Sequence, residues 1–261
     1  MELGLTSVTF RNLNYQEILD YCVKAGLSCI EWGSDVHVPE TDPEHAREVK
    51  AATDAAGIRV SSYGSYYKLC ANEDAEAAFR PYLETAVILG APLIRLWSGS
   101  VDFEDATQEY YDRAVRETQI LCDMAAPYGI ALAFEFHPKT LSNTGEHAVK
   151  LKEDICRENF GLYYQTDSRV SYEENLRYLD QVLPYLQMVH VAYYDGNWGR
   201  LYLDERDGMR LWTEIFGKVY GSAATPAFLV EFLRDTSLEG LLRQTAAMQQ
   251  IVEKLEETDH D

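Results

Sequence analysis

Short runs with strand-like alternation of apolar and polar positions recur along the chain, each followed by a longer stretch with apolar residues at helical spacing. The strand-like runs are 2–6, 29–33, 58–63, 92–99, 130–136, 160–165, 186–193 and 227–233. Helices are predicted over 14–26, 43–57, 73–90, 105–127, 145–157, 171–183, 209–219 and 237–256. In the first of these, "NYQEILDYCVKAG", Ile18, Cys22 and Val23 share one face. Gly26, Gly57, Gly90 and Gly129 each stand just before the next strand, where a left-handed residue ends a helix. Eight strand–helix units without a linker-like change of composition predict an α/β chain folded as a single (β/α)8 TIM barrel over 1–256, with a polar tail at 257–261. A doubly wound open sheet is the competing architecture. It would need a Gly-rich phosphate loop after an early strand, and the chain has neither G-x-G-x-x-G nor a P-loop.

Composition narrows the function more than the fold. The chain has 261 residues, enough for one large core, and Lys plus Arg total 23 against 43 for Asp plus Glu. The resulting net charge of −20 repels phosphates over most of the surface and argues against nonspecific nucleic-acid binding. Five scattered cysteines, an odd number with no C-x-x-C pair, are expected to be reduced core thiols. The start "MELGLTSVTFRN" lacks a signal-peptide pattern, and no apolar run reaches membrane-spanning length. A soluble, cytoplasmic protein without a membrane partner is expected.

Candidate chemistry lies at the C-terminal strand ends, where such barrels carry their active sites. Those ends read Glu31, Tyr63, Arg95, Glu135, Gln165, His190 and Glu231. In "ALAFEF", Ala131, Ala133 and Glu135 share one face and Leu132, Phe134 and Phe136 the other. The same alternation turns His190, Glu231 and Arg95 inward. Two carboxylates and an imidazole converging on one mouth need a positive partner. A single divalent cation (Mn, Mg, Co or Zn) with open positions resolves the conflict. Gln165 and Asp167 share parity, so either is able to turn toward that cation; Gln165 is nearer the strand end. Arg95 is read as a substrate contact or as an ion-pair partner of Glu31, while Tyr63, Tyr66, Trp97, Tyr193 and Trp198 are expected to wall the pocket. Arg200, Arg206 and Arg210, in or beside the loop after the seventh strand, are either anion contacts or solvated.

With "SVTFRN", "AGLSCIEWG", "EFHPKTLSNT", "MVHVAYYDG", "VEF" and "DGMRLWTEIF" in this order, the chain resembles the xylose-isomerase-like barrel superfamily of sugar phosphate isomerases and epimerases. The resemblance implies one divalent cation held at the ends of strands five to eight, here by Glu135, Gln165, His190 and Glu231. Two departures stand out: Gln165 and Ser168 occupy the Asp and His of the family's D-x-x-H motif, and Ala192 replaces a frequent Lys. "IRLWSG" with "FEFHPKTL" is similar to 3-dehydroshikimate dehydratases, which implies substrate contacts for Arg95 and His137. The few histidines near strand ends argue against the three-metal DNA-repair branch of the fold.

The reaction class that follows is proton removal beside a carbonyl, with the cation stabilising an enediolate and Glu135 and Glu231 serving as base and acid. The expected partner is a small sugar or polyol-derived substrate, and a homo-oligomeric state is left open. A dehydratase of the dehydroshikimate or inosose type and a non-catalytic sugar-binding barrel are the competing readings.

Overall fold

The computed structural model describes residues 1–258. Among them, eight parallel strands close into a barrel: Glu2–Thr6, Cys29–Gly33, Arg59–Lys68, Leu93–Trp97, Ala131–Phe134, Phe160–Tyr164, Leu186–Val191 and Ala227–Val230. The first strand pairs with the eighth, Glu2 opposite Ala227 and Leu5 opposite Val230, so the sheet has no open edge. Helices α1 (Tyr15–Lys24), α2 (Pro43–Ala55), α3 (Ala75–Leu89), α4 (Gln108–Ala125), α5 (Gly145–Ile155), α6 (Tyr172–Val182), α7 (Gly208–Tyr220) and α8 (Leu238–Thr258) follow the strands in turn. The single barrel is the architecture expected from the alternation.

Local chemistry explains where the helices begin and end. The side chains of Asn14, Asp42, Asp74, Thr107, Thr144 and Ser171 each accept a hydrogen bond from the backbone N–H three residues on. Asn14 completes a capping box with Glu17. Gly26, Gly57, Gly90 and Gly129 adopt φ values of 65°, 70°, 64° and 68°, as their positions predict. The final helix extends to Thr258, two residues past its expected end at 256; 259–261 lie outside the described residues. No helix among the described residues is long and apolar enough to cross a membrane.

Strand alternation sorts the core into two layers. Ile30, Trp32, Ile94, Leu132, Phe134, Val189, Val191, Phe228 and Val230 join the large cluster that packs with the helices. Cys29, Leu93, Ala133, Tyr163, Met188, Ala227 and Leu229 form a smaller cluster, with Ala131 against it, inside the barrel. Small side chains are required there: a Cβ on Gly4 would lie 2.5 Å from the Cys29 carbonyl oxygen and 2.7 Å from Leu229 Cδ2. Gly4→Ala is therefore expected to destabilise the fold by about 1–3 kcal/mol, read as a lower urea midpoint with an unchanged slope. An unaltered midpoint would show that the barrel floor yields freely.

Candidate metal centre and active site

The alanines of the fifth strand lead up to Glu135, one residue beyond its last assigned position, where the backbone N–H still donates to the Leu96 carbonyl at 3.1 Å. Glu231 occupies the same place after the eighth strand, its N–H donating to the Val191 carbonyl at 3.1 Å. His190 stands on the seventh strand. The barrel thus fixes the backbone of each residue before its side chain is considered. Phe232, immediately after Glu231, has φ of 50°, a left-handed conformation rare for an aromatic residue. It is held by Thr9, whose hydroxyl donates to the Val230 carbonyl and accepts from the Phe232 N–H, both at 3.2 Å.

Glu135, His190 and Glu231 each offer a ligand atom lying within 4.8 Å of the others, and all three side chains are buried. His190 Nδ1 is 3.5 Å from Glu231 Oε1 and 3.7 Å from Glu135 Oε1. Its Nε2 faces Glu31 Oε1 at 3.3 Å, an ion-pair contact without hydrogen-bond alignment, so both buried ring nitrogens lack a hydrogen-bond partner. Arg95 binds Glu135 at 2.5 Å and lies 4.0 Å from Glu31. Arg95 is thus the ion-pair partner expected for Glu31, with Glu135 as a second partner, and it also lines the cavity.

Three buried carboxylates against one guanidinium leave this floor with excess negative charge. Without a cation, protons must make up the balance. Burial disfavours a charged His190, but the carboxylates of Glu231 and Glu31 outweigh it and lift the pKa to about 10. Burial, helped by the charges of Glu135 and Glu31, raises Glu231 to about 7. Burial also acts against ionised Glu135 and Glu31, yet Arg95 and His190 overcome it and hold both near 2. A divalent ion would replace those protons, use the unpartnered imidazole nitrogen and neutralise the carboxylates. The donor set fits such an ion.

Above the floor opens a cavity of about 390 Å³, lined by Tyr66, Trp97, His137, Gln165, Asp167, Tyr194, Trp198 and Arg200 among others. The Trp97 and His137 rings meet at a tilt of 32° with centroids 4.7 Å apart, and Tyr66 covers the Arg95 guanidinium at 5.4 Å. His137 Nδ1 lies 2.6 Å from the Pro138 carbonyl oxygen, so it carries a hydrogen and leaves Nε2 for other contacts. Gln165 shares the cavity wall, its amide nitrogen donating to the Phe136 carbonyl at 2.6 Å. Asp167 also reaches the cavity, but Arg169 grips its carboxylate through Nε and Nη2, at 2.6 Å for the shortest contact. Of the two, Gln165 keeps an uncommitted oxygen for a cation.

Tyr63 is a correction. It is fully buried outside the cavity lining, and its hydroxyl donates to the Val38 carbonyl at 2.7 Å. The third strand continues to Lys68 rather than stopping at 63. A register shift between the Ile30–Val60 and Glu31–Ser62 pairs changes the parity within this strand, so Ser62, Gly64 and Tyr66 face inward and Tyr63 turns to the helix layer. Tyr63→Phe is expected to leave ligand and metal binding unchanged while costing about 1 kcal/mol in thermal or urea unfolding. A selective loss of binding would restore it to the site. Tyr193 is likewise replaced at the cavity by Tyr194, which shares parity with His190. Arg206 and Arg210 are absent from the lining; Arg210 packs over Tyr172 at 4.4 Å.

The residues that sequence reasoning missed lie beneath the metal candidates. Thr6 donates to Glu31 Oε1 at 3.1 Å, while Ser62 and Tyr163 donate to Oε2, each at 2.8 Å. Alternation was the available signal, since Tyr163 shares its face with Gln165 and Ser62 with Tyr66. Arg11, from the loop after the first strand, also lines the cavity and is paired with Asp35 at 2.5 Å.

Comparison with known proteins places these features in a family. An inosose isomerase of Halalkalibacterium halodurans is 26% identical over 164 residues, 60% of this chain and 58% of that protein. A 3-dehydroshikimate dehydratase of Bacillus anthracis is 20% identical over 168 residues, 61% of this chain and 59% of that protein. The chain thus matches a little under three fifths of the length of these curated relatives. Among solved structures, the IOLI protein with a binding zinc atom superimposes with a TM-score of 0.78 at 20% identity, covering 98% of this chain and 99% of that one. The profile of the xylose isomerase-like TIM barrel family matches residues 19–256, and the chain belongs to that family.

Proposed function

We propose that the protein is a divalent-metal-dependent isomerase or epimerase of a sugar or polyol-derived ketone, acting by proton transfer at the carbon beside a carbonyl. The observation that carries this reading is the convergence of Glu135, His190 and Glu231 beneath a cavity of about 390 Å³. Inosose isomerase among the relatives supports the isomerase class.

Glu135, His190 and Glu231 would hold the ion, with the Gln165 oxygen as a fourth donor. When bound, the ion supplies Lewis acidity for negative charge developing on substrate oxygens. The proton itself is the work of the chain. Glu135 and Glu231 come from strands separated in the barrel by the sixth and seventh, so they approach a bound substrate from different directions. One carboxylate removes a proton and the other returns one on the opposite face. Arg95 keeps Glu135 in place, while Trp97, Tyr66 and Trp198 offer faces for sugar C–H groups and limit water. His137, fixed by Trp97 and the Pro138 carbonyl, presents Nε2 to a substrate hydroxyl.

The same groups support a dehydratase if a leaving hydroxyl stands β to the carbanion, and the dehydroshikimate dehydratase relative favours that second reading. The deciding test is incubation of inosose and ketohexoses with the zinc- or manganese-loaded protein in deuterated water, followed by NMR. Dehydroshikimate is screened beside them for loss of its enone absorbance and appearance of an aromatic product. Exchange at the carbon next to the carbonyl without elimination is expected. Elimination alone would assign the lyase. Failure to bind any divalent ion would leave a sugar-binding barrel in place of either enzyme.

A further inference from the structure

We propose that Glu31 is a positioning residue for the metal centre: it anchors one edge of the His190 imidazole so that Nδ1 is presented to Glu135 and Glu231. This inference rests on the functional reading above and adds a residue to it. Glu31 lies on the second strand and is completely buried. A carboxylate there requires several donors, and it has them: Thr6 at 3.1 Å on Oε1, Ser62 and Tyr163 at 2.8 Å on Oε2. These contacts come from the first, third and sixth strands, so the carboxylate is fixed from three directions.

The fixed oxygen Oε1 stands 3.3 Å from His190 Nε2. The Tyr163 ring meets the imidazole edge-on, with centroids 5.1 Å apart and planes at 87°, which limits rotation on that side. With Nε2 on the Glu31 side, Nδ1 is the nitrogen left facing the other two carboxylates. The Glu31 charge at 3.3 Å favours a hydrogen on Nε2, the nitrogen away from the ion, through the ion-pair contact even though the two atoms are not aligned as a hydrogen bond. Gly64 maintains the room for this arrangement, because a Cβ there would stand 2.9 Å from Glu31 Oε1 and 3.2 Å from Arg95 Nη2.

The test uses the full chain, zinc as the probe, and two variants. Glu31→Gln removes the anchoring charge at constant size; Tyr163→Phe leaves Glu31 in place but removes one of its donors. Competition with a chromophoric chelator is expected to show zinc affinity about 10–100-fold weaker in Glu31→Gln, with Tyr163→Phe between it and the parent. In the zinc-loaded parent, long-range proton–nitrogen spectra of His190 should show one mode, Nδ1 ligated and Nε2 protonated. Glu31→Gln should show two modes. Parent-like affinity and a single Nδ1 mode in both variants would overturn the proposal, and Tyr163→Phe decides alone if Glu31→Gln does not fold.

If the parent itself takes up no zinc, the functional reading fails separately. Positioning is then judged in the metal-free protein by nuclear Overhauser contacts between the His190 and Tyr163 rings. Their loss in Glu31→Gln, or weakening in Tyr163→Phe, supports anchoring by Glu31; their full retention in both refutes it.

Discussion

Glu231→Gln is expected to lower substrate proton exchange about 10³-fold while leaving the fold intact. The amide keeps the shape of the carboxyl, so the Thr9 clasp and the neighbouring strand pairing have no reason to change. What disappears is one negative donor to the cation and one of the two groups able to accept a proton. General acid–base groups contribute about 10²–10⁴-fold, and the loss of ionic ligation adds to that. The measurement is deuterium incorporation, followed by NMR, into whichever ketone the parent protein turns over. Exchange within a factor of a few of the parent's would place the chemistry elsewhere in the cavity.

Arg95→Met is expected to have the largest effect on stability. Arg95 is 2% exposed and is the cation set between Glu135 and Glu31. Methionine fills much of its volume but leaves two buried carboxylates without that partner. Breaking a buried pair in this way costs about 3–5 kcal/mol. In the metal-free protein the deficit depends on pH. Burial opposes the charge of Glu135, but Arg95 holds its pKa near 2 against an ordinary value of 4.5. A carboxylate depressed on folding contributes stability that is full above its unfolded pKa and is lost as pH falls through the folded one. The gap between parent and variant should therefore be widest above about pH 4.5 and narrow toward pH 2. Denaturant titrations across that range check the sign. A gap that widened with acid would mean that Arg95 does not stabilise the ionised form.

The barrel was readable because its strands obey alternation so regularly. Ala131, Ala133 and Glu135 share the inner face, and the helix-stopping glycines take the backbone conformation their positions demand. The Glu135, His190 and Glu231 convergence followed from the same counting. The errors have a physical source too. Tyr66 was expected at the pocket together with Tyr63, but a register shift after Val60, which nothing in the residue pattern marks, leaves Tyr66 at the cavity and turns Tyr63 to the helices. Asp167 shares parity with Gln165 and lines the cavity as expected of a residue beside the substrate, while its ion pair with Arg169, which depends on how the turn closes, was not legible. The donors around Glu31 come from three separated strands, and alternation alone does not reveal which inward groups meet across the barrel.

The hydroxyl of Thr9 joins the beginning of the chain to the backbone on either side of Glu231. That link gives the cation site an order of assembly. A ribosome must deliver all eight strands of the barrel before the last acidic donor exists, and the seam beside it must then shut. Ion capture would thus register completion of the ring, arriving too late to guide the earlier steps of folding but in time to lock the finished one.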